Sequence, residues 1–294
     1  MLELSTYLKE RAVLIDTALD RHLPAPADRP AVLHEAMRYS VMAGGKRIRP
    51  ILCLAAAEAV QGTVEAALMP ALAVELLHTY TLIHDDLPCM DDDDLRRGKP
   101  TSHIRFGEAN AVLAGDALLT LAFEWVAEVP APSPYLPTQL VLELSEGAGH
   151  RGVIAGQIED LAGEGVQLSP ADLEYIHLHK TAALIRTAVR IGGIAAGASP
   201  ADLDALTFYG GDIGLAFQIT DDILDVTGST GALGKPAGSD AGLAKSTYVA
   251  LHGLEESRAM AGELVDNAIE NLSTLSGNTE PLAAIARFMV ERST

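Results

Sequence analysis

The chain has 294 residues, a formal net charge of -19 and 48% apolar residues, of which few are aromatic. So acidic a protein is a poor match for nucleic acid, whose phosphate backbone needs basic surface, and for anionic membrane faces. Ala and Leu dominate the apolar set, a mix suited to closely packed helices rather than strands, and it predicts an all-α fold.

In chain order, the opening helix spans 2–22, where Leu4, Leu8, Ala12, Ile15 and Leu19 recur at steps of three and four. The Pro-rich stretch 24–30 stops it. Further helices are predicted at 31–42, 47–60, 65–85, 107–128, 138–162, 170–197, 200–226, 240–272 and 279–291. Pro-, Gly- and Ser-rich breaks at 129–137, 163–170, 197–200, 228–239 and 275–278 separate them. None of these is long or distinct enough to be a domain linker. The expectation is one domain, 1–294, of long, mostly antiparallel helices around a central cavity. The N-terminus lacks the basic-then-apolar pattern of a signal peptide, and no uninterrupted apolar stretch reaches the length of a membrane span, so a cytoplasmic protein is expected. Cys53 reads as core and Cys89 is given no chemistry; two cysteines make no disulfide framework.

Two aspartate clusters close two of the long helices. In the second, Asp221 and Asp225 are four apart and project from one helix face, with Gln218 and Asp222 on an adjoining stripe. Like charges at that spacing call for a cation or full solvation. In the first, Asp85 and Asp91 would stand about 240° apart on a continuous helix. Pro88, inside Asp85-Asp86-Leu87-Pro88-Cys89-Met90-Asp91, breaks the helix and lets the chain fold back. Hard oxygen donors that leave room for water and phosphate suit Mg2+. Neither cluster has EF-hand spacing, and glycine patterns for a P-loop or a dinucleotide fold are absent.

Basic groups accompany the clusters. Gly44-Gly45-Lys46-Arg47-Ile48-Arg49-Pro50 joins two glycines to three cations, with Lys46 and Arg49 placed to share a pocket and Arg47 pointing elsewhere. Arg96 and Arg97 are adjacent, so each is expected to hold a different anion. His179-Lys180-Thr181 lies within a helix, where a lysine and a hydroxyl can share one phosphate, and Lys235 and Lys245 flank a Gly-rich segment after the second cluster. No Ser/His/Asp or Cys/His nucleophile arrangement is present.

With these motifs goes Leu77 through Thr101, Phe106 through Asp116, Gly156-Gln157-Ile158-Glu159-Asp160, Phe217 through Asp225, and Lys245-Ser246-Thr247-Tyr248. From about Leu33 onward the chain resembles the short-chain trans-prenyl diphosphate synthases, most closely the bacterial farnesyl diphosphate synthases. The resemblance implies an isoprenoid-synthase fold, usually a homodimer. It also implies condensation of isopentenyl diphosphate with an allylic diphosphate, dimethylallyl or geranyl, using three Mg2+. It assigns Asp85, Asp91 and Asp221 as principal metal ligands with Asp86 and Asp225 in support. Gly45, Lys46, Arg49, His78 and Arg97 would bind isopentenyl diphosphate, and Arg96, Lys180, Thr181, Gln218, Lys235 and Lys245 the allylic diphosphate. Residues 244–249 depart from the family, which commonly has Gly before the lysine and Pro after the tyrosine. The acidic total charge is not explained by this chemistry.

In this family the residues just before the first aspartate line the floor of the chain pocket. Helical spacing puts Thr81 beneath Asp85 and Tyr80 beneath His84, so geometry alone does not choose between them. The resemblance associates an aromatic at Tyr80, with the four-residue spacer of the first motif, with a farnesyl (C15) product; geranylgeranyl or geranyl diphosphate is the alternative. A class I terpene cyclase normally carries a different second metal motif and needs no isopentenyl site. A non-catalytic synthase subunit typically loses its aspartate motifs, and both are kept here.

Overall fold

The computed structural model describes residues 2–227 and 246–291. Fourteen α-helices, numbered α1 to α14 in chain order, make up most of the described chain. Those that carry the argument are α3 (Ile48–Ala59), α4 (Val64–Asp85), α6 (Glu108–Ala127), α8 (Val153–Ala162), α9 (Pro170–Ile176), α10 (Ala183–Ala195), α11 (Pro200–Thr227), α12 (Tyr248–His252) and α13 (Leu254–Asn271). The all-α expectation holds, with one addition. The Arg97–Gly98 turn joins two-residue strands, Leu95–Arg96 and Lys99–Pro100, into a small antiparallel hairpin.

The centre of the fold is α4. Thr63 starts it by accepting the Ala66 amide on its hydroxyl (3.3 Å), satisfying a donor that has no partner within the helix. Its apolar residues face outward on every side, and α3, α6 and α10 bury them. In turn α11 packs on α10 and α13. The long apolar core therefore ends, at the C-termini of α4 and α11, in the two aspartate motifs.

Two expected helices are divided. The predicted 138–162 breaks at Gly149–Gly152 into Gln139–Ala148 and α8. The predicted 240–272 begins outside the described residues and is interrupted at Gly253 (φ 84°), between α12 and α13. The predicted 170–197 is continuous, but its middle is π-helical: α9 passes through His177–Ala182 into α10. By length and composition alone α4 and α6 are each apolar enough to cross a membrane, a test that buried core helices also pass. Most of α4 is buried among its neighbours as a core helix is, whereas α6 leaves an apolar strip, including Val112 and Leu113, in solvent.

Candidate active site

The first aspartate motif is a helix end followed by a tight return. The helix α4 stops at Asp85, Asp86 is its C-cap, and the Asp91 amide donates to the Asp85 carbonyl at 2.8 Å. Pro88 sits in the return, where it cannot continue a helix. The fold-back expected from the sequence is present, and it brings two carboxylates six residues apart into one neighbourhood. Burial pushes the Asp85 carboxyl up to about 6, and Asp91 and Asp86 add to the rise against the opposing pull of Lys180 and Arg96.

Asp86 has a different role from Asp85. It is buried and accepts a 2.6 Å hydrogen bond from Arg96 Nε, while Arg96 also reaches Asp93 at 3.4 Å. Burial raises the Asp86 carboxyl and the arginine opposes that rise. The expected metal ligand Asp86 and the expected phosphate clamp Arg96 are thus paired with each other. Arg97 diverges from Arg96 because the turn residue takes a left-handed φ of 54°. Its guanidinium donates to the Gly44 carbonyl. A Cβ at Gly45, which has φ 127°, would lie 2.7 Å from that guanidinium. Glycine at 45 is therefore what lets Arg97 lie against the loop.

Arg97, Gly45, Lys46, Arg49, Glu75 and His78 line one cavity of about 470 Å³. The Arg49 Nη1 atom is 3.4 Å from His78 Nε2, and its Nε is buried without a partner. Burial lowers Arg49, with Arg97 adding and Glu75 and Asp221 opposing. Burial also holds His78 well below the usual imidazole range, helped by Arg49 and Arg97, so the ring is neutral beside two guanidiniums. Lys46 Nζ lies 6.0 Å from the centre of the Phe288 ring. Among the described lining residues the cations outnumber the one carboxylate, Glu75, which suits an anion site. Arg47, expected only to point elsewhere than Lys46 and Arg49, is buried on Glu75, Asp16 (2.8 Å) and the Val41 carbonyl (2.7 Å). It is a structural arginine.

The π-helical turn supplies the opposite wall. One extra residue per turn re-aims side chains, and such segments recur at functional sites. Lys180 bonds Asp160 of α8 at 2.6 Å. Burial lowers the lysine, but Asp160, Asp85 and Asp91 together outweigh that and raise it. Thr181 donates to Gln218 Oε1 of α11 at 2.9 Å, and Gln218 Nε2 lies 3.4 Å from Asp222. Lys180, Thr181 and Gln218 are therefore gathered between the two motifs, as the sequence suggested. Asp221 and Asp225 stand one turn apart near the end of α11, with Asp221 close enough to act on Arg49. Lys235 and Lys245 lie outside the described residues.

Sequence reasoning missed two acids. Asp160 was quoted only within a motif, yet it holds Lys180. Asp222 is buried, accepts the Tyr248 amide at 2.8 Å and lies 3.6 Å from His177 Nε2, so it fastens α12 to α11. Only the double aspartate hinted at that second task.

Among the described residues, no three His, Cys, Asp or Glu side chains form a ready metal cluster. The donor set nonetheless fits a hard divalent ion: the first motif gathers carboxylate oxygens, and Asp91 and Asp86 add to the rise that burial gives Asp85.

The family profile described as polyprenyl synthetase matches residues 30–284. The large subunit 1 of the chloroplastic heterodimeric geranylgeranyl pyrophosphate synthase of Arabidopsis thaliana is 47% identical, over 98% of this chain and 79% of its own. A geranylgeranyl diphosphate synthase of Cyanophora paradoxa is 45% identical, over 99% and 97%. The apo crystal structure of an FPP/GFPP synthase from Zymomonas mobilis superposes with a TM-score of 0.86 at 40% identity, covering 98% of each chain. Both curated relatives bear geranylgeranyl names, which support the alternative product expected from the sequence better than the farnesyl one. A matching profile over most of the chain and relatives aligned over nearly all of it leave one conclusion: this chain belongs to the polyprenyl synthetase family.

Proposed function

We propose that the protein is a prenyltransferase joining isopentenyl diphosphate head to tail to an allylic diphosphate, releasing diphosphate. The observation that carries this is the pairing of an over-cationic pocket (Arg49, Arg97, Lys46, neutral His78) with an over-anionic motif (Asp85, Asp91) across from Lys180. Two diphosphates need two such places. In this reading Lys46, Arg49, His78 and Arg97 seat isopentenyl diphosphate. Lys180, Thr181 and Gln218, with Arg96, seat the allylic diphosphate.

Asp85, Asp91, Asp221 and Asp225 would hold Mg2+, which when bound stabilises the charge of a departing diphosphate. Lys180 and Arg96 add fixed positive charge where that charge develops. The apolar faces of α4 and α6 exclude water from an allylic cation. No side-chain nucleophile takes part, and the proton lost at the end passes to the released diphosphate.

Product length is read from Tyr80. Its side chain is buried below the first motif, and its hydroxyl has no hydrogen-bond partner among the described residues. A bulky ring set there stops growth at C15, farnesyl diphosphate. The second reading, geranylgeranyl diphosphate, is the one favoured by the names of the curated relatives. Assembly as a homodimer would cover the apolar strip of α6.

Incubation with Mg2+, labelled isopentenyl diphosphate and dimethylallyl or geranyl diphosphate, followed by product sizing, tests both levels. A C15 product that lengthens in Tyr80→Ala supports the first reading, and a C20 product from the unaltered protein supports the second. No condensation with either starter would overturn the reaction itself.

A further inference from the structure

His84 stands between Asp85 and the pocket floor, and no role in the reaction has been given to it. Its ring meets Tyr80 edge-on, with centroids 5.7 Å apart and planes at 81°. On its other side Nε2 is 3.1 Å from the Val112 carbonyl of α6. A carbonyl only accepts, so Nε2 carries the proton and donates it. The ring lies directly over Gly115: a Cβ there would come within 2.2 Å of Nε2. The imidazole is therefore seated on bare backbone of α6, held by the bond to the Val112 carbonyl with Asp116 Oδ1 4.0 Å from Nε2.

Tyr80 has no such anchor. Its hydroxyl is buried with no hydrogen-bond partner among the described residues, where packing decides how the ring stands. Along α4 the nearest ring on the same stripe is His84, one turn nearer the aspartates. A shift of His84 is passed to Tyr80 through an aromatic contact with a preferred geometry.

We propose that His84 is a positioning residue for product length: seated on Gly115 and the Val112 carbonyl, it holds the Tyr80 ring across the path of the growing chain. This rests on the reading of Tyr80 as the floor. It makes Gly115 part of the specificity apparatus although residue 115 itself touches no substrate.

The test is product sizing for the unaltered protein, His84→Ala, Gly115→Ala, Tyr80→Ala and the double variant His84→Ala with Tyr80→Ala. Thermal melts confirm that each is folded. His84→Ala is expected to shift the ratio of longer to normal product by about 2–10-fold, the worth of an edge-to-face ring contact. The double variant should match Tyr80→Ala alone, because His84 acts only through that ring. Gly115→Ala leaves the sequence around Asp85 intact and should shift the distribution too, since its methyl group unseats the imidazole.

Normal products from His84→Ala or Gly115→Ala, with longer products from Tyr80→Ala, overturn the proposal and leave the Tyr80 reading standing. Additive effects in the double variant also overturn it. Unchanged products in Tyr80→Ala remove the floor, and this proposal with it.

Discussion

Asp85→Asn is expected to make the protein more stable while it abolishes condensation. The carboxyl of Asp85 is raised from 3.8 to about 6, with burial the largest cause and Asp91 and Asp86 next. Folding therefore forces a carboxylate into surroundings that favour its protonated form. At about 1.4 kcal/mol for each pH unit, the ionised group costs the metal-free fold about 3 kcal/mol at neutral pH. The sign follows from linkage: a folded value above the unfolded one means a penalty present in full above about pH 6, shrinking as pH falls, and gone below about 3.8.

Asparagine keeps the shape and removes the charge. In a metal-free buffer at pH 7 its melting temperature should exceed that of the unaltered protein by roughly 5–10 °C, and the gap should close towards pH 4. Added Mg2+ should raise the unaltered protein and leave Asp85→Asn behind, because only the former keeps the full ligand set. Such a trade of stability for activity is common where like charges are gathered for a ligand. Melting curves at pH 7 and pH 4, with and without Mg2+, decide it. An Asp85→Asn protein no more stable at pH 7, or a gap unchanged at pH 4, would refute the reasoning.

Lys180→Gln removes the cation that Asp160, Asp85 and Asp91 share; steady-state rates should fall about 10²–10³-fold, and loss of the 2.6 Å bond to Asp160 should lower the melting temperature. Gly45→Ala places a methyl group 2.7 Å from the Arg97 guanidinium, so KM for isopentenyl diphosphate should rise on the order of 10–100-fold, with kcat less affected. Asp222→Ala leaves the buried Tyr248 amide unpaired and should lose about 1–3 kcal/mol in urea unfolding; Asp222→Asn keeps an acceptor oxygen and should recover part of it.

What could be read in the sequence was whatever depends on spacing along one helix. The i, i+4 aspartates of α11 and the proline in the first motif both follow from local geometry, and each stands where expected. What could not be read was pairing across helices. Lys180 takes Asp160, twenty residues earlier, because α8 packs against the π-helical turn, and no periodicity announces that turn. His84 meets Gly115 only because α4 and α6 touch there.

Arg96 shows most clearly how much rests on this distinction. The family resemblance implied that Arg96 clamps the allylic diphosphate and that Asp86 supports the metal, yet the two hold each other. Breaking a part-buried pair is costly when one charge is left bare. Arg96 can turn all of its donors to a diphosphate only if Asp86 gains another cation in the same event. On the proposed chemistry a divalent ion is that cation, so binding of metal and of the allylic diphosphate should be coupled, each relieving the charge that the other exposes. A pair of residues that seems to contradict two separate assignments is thereby the physical reason for the two to act together.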